Sequence, residues 1–264
     1  MRRADLNRRR DQIIALLSSN GELTATDLAK RLDVSVQTIR TDLRDLDEAF
    51  LVQRRNGIVR MRQQPENIGY SPRMSISRME KLNIALAVRN LIPDGARVAL
   101  GTGTTVEQCA NFLASKEKLF VATNNIHAVM AFQQASEAVV VIAGGTVRLR
   151  DLDMIGSASS DFFANYRVDV AVFSCGGVSD SGEVLDYNMD EIAARKAIVS
   201  CAKETILVFD SEKHGKDLPC RMHNLWDYNK IVTLAELDAS VQEQCAAHGC
   251  EIVKVPKAEV VQKI

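Results

Sequence analysis

The sequence predicts an α/β chain in two unequal parts, a small basic module of three helices and a hairpin and a larger domain built on a mostly parallel sheet. Three observations carry this. Residues 1–62 hold 13 Lys and Arg against 9 Asp and Glu, whereas the remainder holds 20 against 25. Helix-start signals recur at short intervals over the first 50 residues. From Ser77 onward, apolar runs of strand length alternate with helix-period segments, the pattern of a parallel sheet covered on both faces. A chain of 264 residues, 46% hydrophobic and 25% charged, is long enough for a small domain plus a medium one.

The first helix is expected over about Leu6 to Ser18, with Ile13, Ile14 and Leu17 facing inward and Asn20-Gly21 as its stop. The second starts at Thr24, whose hydroxyl can accept from the free amides of the first turn. Asp27 follows at the third helical position, and Leu23 and Leu28 are spaced as a hydrophobic staple. The third repeats this grammar, with Ser35 as N-cap and Val34 against Ile39. "LVQR" and "IVRM" then flank Arg55-Asn56-Gly57, and Asn-Gly readily supplies the positive φ angles of a tight hairpin. Three helices and a hairpin in this order make a winged helix-turn-helix, assigned to residues 1–62. "RQQPENIGYSPR" has two prolines and no periodicity, so 63–76 reads as a linker and 77–264 as the second domain.

On the third helix, Ile39, Leu43, Leu46 and Phe50 form one apolar stripe, while Gln37, Arg40, Thr41 and Arg44 cluster at the opposite pole. Such a face also suits a solvated surface helix. The arm Arg8-Arg9-Arg10 and the hairpin arginines Arg54 and Arg55 turn the reading toward double-stranded DNA. Gln and Arg can meet purine edges in the major groove, while arm and wing would supply phosphate contacts.

In the second domain the strand-like runs are "RVAL", "KLFVAT", "AVVVIAGG", "VDVAVFSCGG", "TILVFD", "KIVTL" and "EIVKV", with helical segments such as Val106 to Ala114 and Met189 to Cys201 between them. Gly101-Thr102-Gly103-Thr104-Thr105 joins a strand to a helix, where glycines admit an anion closely and free amides and hydroxyls can bind it. A dinucleotide fingerprint would need Gly at Val106, and a Walker A loop would need Gly-Lys-Ser/Thr; neither is present. Thr123-Asn124-Asn125, Gly144-Gly145 and the stretch Asp210 to Lys216 fall at other expected strand ends, where open α/β sheets bind ligands. Each alone also suits a turn or a cap.

Cys109, Cys175, Cys201, Cys220, Cys245 and Cys250 include no C-x-x-C pair, and His127, His214, His223 and His248 lack metal-ligand spacing, so no metal, disulfide framework or cofactor is expected. The apolar run Ile13 to Leu17 is too short for a signal peptide, and nothing approaches a membrane span, which places the chain in the cytoplasm.

"LAKRLDVSVQTIRTDLRDLDE" followed by "RRNGIV" resembles the N-terminal module of DeoR-type bacterial transcriptional regulators, whose pattern runs V-S-x-x-T-I-R-R-D-L and then R-x-H-G-G. Val34, Ser35, Thr38, Ile39, Arg40, Asp42 and Leu43 match. Thr41 replaces the second Arg of that pattern, and Asn56 and Ile58 stand where it has His and the second Gly. With this resemblance the DNA-contacting set is Ser35, Gln37, Thr38, Arg40, Thr41, Arg44, Arg54 and Arg55. "LGTGTTVEQCA", "TNN", "AGG", Ile155-Gly156, "DVAVFSCGGVS" and "VFDSEKHG" are similar, in order, to the family's effector domain, which is itself ribose-5-phosphate-isomerase-like. The resemblance implies a phosphorylated sugar held at Gly101 to Thr105, with Thr123, Asn124, Asn125, Gly144, Gly145, Gly156, Asp210 and Lys213 around it. It also implies repression of a carbohydrate-catabolism operon by a protein released from its operator by that effector; because a single winged helix makes too few contacts for operator-level affinity, a dimer or tetramer is expected. The alternative is a sugar-phosphate isomerase or deaminase-like enzyme with a DNA-binding appendage. Where the isomerases carry catalytic carboxylates this chain has Ser174-Cys175-Gly176-Gly177 and Ala194-Arg195-Lys196, and only a local shift could bring in Asp180, Glu183 or Glu191.

Overall fold

The computed structural model describes residues 9–10, 12–14, 16–17, 20–48, 52–55, 57–61 and 70–255. Leu6, Arg8, Ser18, Phe50, Leu51, Asn56 and residues 62–69, named above, lie outside these. The chain forms two compact units that divide between Arg78 and Met79.

In the first unit, residues 9–10, 12–14, 16–17 and 20 are helical (α1). They are followed by strand β1 (Glu22–Thr24), helices α2 (Ala25–Leu32) and α3 (Val36–Glu48), and strands β2 (Val52–Arg55) and β3 (Ile58–Met61). The expected N-caps are present. Thr24 Oγ1 accepts from Asp27 N–H at 3.1 Å while Asp27 Oδ2 accepts from Thr24 N–H at 3.2 Å, a reciprocal capping box rather than a simple dipole contact. Ser35 Oγ accepts from Thr38 N–H at 3.0 Å. Ile13, Leu17, Leu28, Ile39, Leu43, Val52 and Val59 are 0 to 2% exposed and form the core of this unit. Arg55 pairs with Ile58, so two residues close the hairpin, and Gly57 has φ 79°. β1 was not anticipated. It adds antiparallel to β3 and makes the wing a three-stranded sheet.

The stretch read as a linker is helical over Tyr70–Ser75 (α4). Pro72 falls in its first turn, where a missing amide forfeits no helical hydrogen bond.

The second unit opens on α5 (Arg78–Leu91) and continues through β4 (Arg97–Leu100), α6 (Thr104–Leu113), β5 (Phe120–Thr123), α7 (Ile126–Ala131), β6 (Val139–Ile142), α8 (Ser157–Ala164) and β7 (Val168–Phe173). Then come the short strands β8 (Gly177–Val178) and β9 (Glu183–Asp186), α9 (Met189–Ser200), β10 (Ala202–Val208), β11 (Cys220–Asn224), β12 (Lys230–Thr233), α10 (Ala239–Ala247) and β13 (Glu251–Lys254). All seven predicted runs join one sheet in the order β13-β12-β10-β7-β4-β5-β6, every neighbour parallel. Side chains alternate across it. Val98, Leu100, Val121, Val172 and Val208 pack with α5, α6 and α7, whereas Ala99, Ala122, Phe173, Leu207 and Ile231 pack with α8, α9 and α10. Both faces are therefore apolar and covered, as the unbroken apolar runs require. The strands β8, β9 and β11 form a separate antiparallel sheet that the sequence did not suggest.

The strand order carries a functional consequence. From β4 the chain builds outward through β5 and β6, then returns to place β7 on the other side of β4. The order in which strands are added reverses between the parallel neighbours β4 and β7, and in open α/β sheets the crevice at the carboxyl ends of such a pair receives the ligand.

Candidate DNA interface and anion site

The third helix turns its stripe inward and its basic face outward. Ile39, Leu43 and Leu46 are buried, and Gln37, Arg40, Thr41 and Arg44 are exposed, as are Arg54 and Arg55 on the hairpin. Among the described residues, the side chains of Gln37, Arg40, Arg54 and Arg55 have no protein partner. Three hydroxyls in the predicted contact set have internal work. Ser35 caps α3 and lies 2.8 Å from the Thr38 hydroxyl, and Thr41 Oγ1 donates to Gln37 O at 3.1 Å. Arg44 lies 3.6 Å from Asp45.

The arm needs correction. Arg9 Nε donates to Asp42 Oδ2 at 2.5 Å, Arg10 Nε to Asp42 Oδ1 at 3.4 Å, and Arg10 also pairs with Asp45. Asp42 is 0% exposed, so its charge must be compensated inside the protein. Arg9 and Arg10 supply that compensation and clasp α1 to α3. Their charge, counted as phosphate-binding from the sequence, is spent on the fold.

At the switch point, Gly101 N–H donates to Val172 O at 3.0 Å and ties the Gly/Thr loop to β7. A Cβ on Gly101 would lie 3.1 Å from the Phe173 Cβ and 3.2 Å from Ile198, so this glycine is required by packing. Gly103 differs. Its φ is 112°, it is the N-cap of α6, and it offers no side-chain acceptor to the helix. At the same sheet edge α7 and α9 are closed by Asn125 and Asn188, whose side chains accept from His127 N–H and Glu191 N–H at 2.9 and 3.0 Å. The start of α6 thus keeps its amides and its partial positive charge available. Thr104 and Thr105 occupy the first turn, 3% and 1% exposed, and Thr105 Oγ1 is buried without a hydrogen-bond partner among the described residues.

The neighbouring loops divide into framework and site. Thr123 Oγ1 donates to Leu100 O at 2.7 Å and accepts from Asn125 N–H at 3.1 Å, and Asn125 Nδ2 donates to Gly101 O at 3.2 Å. Both residues, read from the sequence as ligand-binding, are fully engaged in holding the β4 and β5 loops together. Asp210 is likewise engaged. It pairs with Lys81 of α5 at 3.5 Å, both side chains 3% exposed. Asn124 spends its Nδ2 on Met154 O at 2.7 Å but leaves Oδ1 buried and unpartnered. Gly144 and Gly145 are exposed, a Cβ on Gly145 would lie 3.3 Å from Ala158, and Gly156 starts α8, again without a side-chain cap. Thr102 is half-buried.

Lys213 reaches Ser174, which neighbours the Gly/Thr loop. Its Nζ donates to Ser174 Oγ at 2.9 Å and to Cys175 O at 2.6 Å, and the Ser174 Cβ lies 3.8 Å from where a Gly103 Cβ would be. Ser174, passed over in the sequence, is the hinge of the arrangement. Its carbonyl also accepts from Arg195 Nε at 2.6 Å. Behind it runs a buried ionic network: Arg195 to Asp186 at 2.7 Å and to Glu191 at 2.8 Å, Arg148 to Glu191 at 2.5 Å and to Asp153 at 2.7 Å. Burial opposes the charge of Glu191, but Arg195 and Arg148 outweigh it and hold the carboxylate down to about 2. A carboxylate so stabilised is a poor proton acceptor at neutral pH. Glu183 pairs with Arg221 at 3.1 Å and Asp180 is exposed. Burial pushes the Cys175 thiol up to about 11, which keeps it out of thiolate chemistry.

A depression of about 800 Å³ at the opposite, amino-terminal edge of the sheet includes Asp169, Lys203, Glu204 and Lys230. These charges neutralise one another, Asp169 with Lys203 at 2.9 Å and Lys230 with Glu204. It presents no uncompensated charge to an anion. Among the described residues there is no group of His, Cys, Asp and Glu able to hold a metal, and no helix long and apolar enough to cross a membrane.

Family comparison agrees with both halves. Residues 9–64 match the DeoR-like helix-turn-helix domain and residues 76–234 the DeoR C terminal sensor domain. The chain is 35% identical to a glycerol-3-phosphate regulon repressor of Haemophilus influenzae, over 85% of this chain and 88% of that one. It is 30% identical to the HTH-type transcriptional repressor CsqR of Escherichia coli, over 94% and 95%. A ribose 5-phosphate isomerase A from Methanocaldococcus jannaschii superposes on 51% of this chain and 53% of its own at 20% identity, with a TM-score of 0.38.

Proposed function

The chain belongs to the DeoR family of DNA-binding transcriptional regulators, and from that premise we propose that it represses a carbohydrate-catabolism operon and is released from its operator by a phosphorylated sugar or a related phosphate ester. One observation carries the ligand reading. The start of α6 has no side-chain cap, buries an unpartnered Thr105 hydroxyl, and lies at the switch point with Gly103 beside Ser174, which Lys213 contacts. Amides, hydroxyl and ammonium are the donors a phosphate monoester needs. The name of the Haemophilus relative makes glycerol 3-phosphate the first compound to try.

The protein acts on its ligand by binding alone. The carboxylates behind the site, Asp186 and Glu191, are tied to Arg195, which supports a site that holds the ester without abstracting a proton. A single winged helix makes too few contacts for operator-level affinity, so the active species is a dimer or tetramer in the cytoplasm, reading half-sites roughly 34 to 36 Å apart or a multiple of that. The experiment is a thermal-unfolding screen that pairs each sugar or polyol with its phosphate ester. An ester present at about 100 times its Kd stabilises the folded state by about 2.7 kcal/mol. One ester should raise the midpoint while its dephosphorylated partner does not. Equal effects within every pair, or conversion of the ester by the protein, would reject the reading.

A further inference from the structure

Asp210, Ser211 and Lys213 lie on one short segment with two attachments. Toward the anion site, Lys213 donates to Ser174 Oγ and Cys175 O at 2.9 and 2.6 Å. Toward α5, the Glu80 carboxylate accepts from both donors of Ser211, its N–H at 2.8 Å and its hydroxyl at 2.6 Å, and Lys81 pairs with Asp210 at 3.5 Å. Glu80 and Lys81 lie in the first turn of α5, the helix with which the sensor unit begins. The cation proposed to meet the phosphate is therefore two residues from a serine gripped by the helix that follows the DNA-binding unit in the chain.

We infer that Glu80, with Lys81 beside it, is the coupling residue that passes occupancy of the anion site to the DNA-binding unit. The inference rests on the ligand reading given above. The two contacts divide the work. A carboxylate that takes two short, charge-assisted hydrogen bonds from one residue has a narrow geometric optimum, so a small shift of Ser211 makes or breaks it. The Lys81–Asp210 pair is dry, and separating it would strand a buried charge, so it stays closed and keeps Ser211 within reach of Glu80 whether the clamp is made or broken. A ligand alters DNA affinity only through contacts that differ between two states. The Glu80–Ser211 clamp supplies such a contact without touching either ligand.

The test uses the full-length chain, a duplex selected by the wild type from a random-sequence pool, and glycerol 3-phosphate as the probe. Three quantities are measured for wild type, Glu80→Gln and Ser211→Ala: duplex affinity alone, ester affinity alone, and duplex affinity with saturating ester. The wild type should show a ratio of duplex affinities on the order of 5- to 150-fold. In the variants both separate affinities should stay within about threefold of wild type while the ratio collapses to about twofold or less. Ser211→Ala removes only one of the two bonds and keeps the test decisive should Glu80→Gln fail to fold. Variants that respond as fully as a responsive wild type overturn the coupling role alone. Variants that lose ester affinity instead make Glu80 part of the ligand site, which also overturns it. A wild type indifferent to the ester removes the ligand reading and this inference with it.

Discussion

Thr105 buries a hydroxyl that has no hydrogen-bond partner among the described residues, an arrangement that costs the fold and that a bound ligand would complete. Thr105→Val should therefore leave folding stability unchanged or slightly raised, because no protein hydrogen bond is lost. The same change should weaken ester binding by about 10- to 150-fold, since a hydrogen bond to a charged group is worth about 1.5 to 3 kcal/mol. A denaturation midpoint and a calorimetric Kd measure the two, and an unaltered Kd would place the anion elsewhere. Glu191 gives a prediction in pH. Its carboxylate is held at about 2, below the ordinary 4.5, so the stability it contributes is complete above about pH 4.5 and is lost as pH falls toward 2. Asp186, which shares Arg195, is pushed upward by burial, so within this pair the acid loss is carried by Glu191. Glu191→Gln should flatten the fall of the denaturation midpoint in that window, and an unchanged slope would show that other carboxylates govern it. At this scale the sequence was half legible. Gly103, Thr105 and Lys213, proposed to meet the ester, are named from a loop pattern and a strand-end rule. That Gly101 serves packing, that Thr123 and Asn125 brace two loops, and that Asp210 pairs with Lys81 depends on neighbours 23 to 129 positions away, which no local pattern encodes.

Among the elements, we propose that α3 reads bases while the hairpin contacts phosphates, since Gln37, Arg40, Arg54 and Arg55 are all exposed. Arg40→Ala should cost about 1 to 3 kcal/mol and relax preference at one operator position, whereas Arg55→Ala should weaken all sequences alike and reduce the magnitude of the salt slope by about 1. Binding titrations across a panel of single-base variants at several salt concentrations separate the two. If Arg40→Ala lowered every sequence equally, α3 would be lying along the backbone rather than in the groove. Elements were legible where their cause is local. The Thr24 and Ser35 caps depend on residues three positions apart, and all seven sheet strands announced themselves as apolar runs because both faces of the sheet are covered. β1 and the trio β8, β9 and β11 were silent. β1 is three residues long and is defined only by pairing with β3, and β8 has two residues that pair with β9. Arg9 and Arg10 were legible as charge but not as partners of Asp42, because a count of charges cannot see that Asp42 is buried between them.

For the whole molecule, each half has a self-sufficient account and the function lies in their linkage. The alternation of strands and helices predicted a parallel sheet but not its order, since the return from β6 to β7 on the far side of β4 is a tertiary choice. That order creates the switch point and brings Ser174 beside Gly103. The central claim, that a phosphate ester bound at the start of α6 lowers affinity for DNA, is tested most directly by one titration. A labelled duplex selected by the wild-type protein is bound to saturation, and glycerol 3-phosphate or glycerol is added while anisotropy is followed. The ester should release the duplex with a coupling of about 1 to 3 kcal/mol, the duplex should weaken ester binding by the same factor, and glycerol should do nothing. Release by both compounds alike, or by neither, would contradict the account.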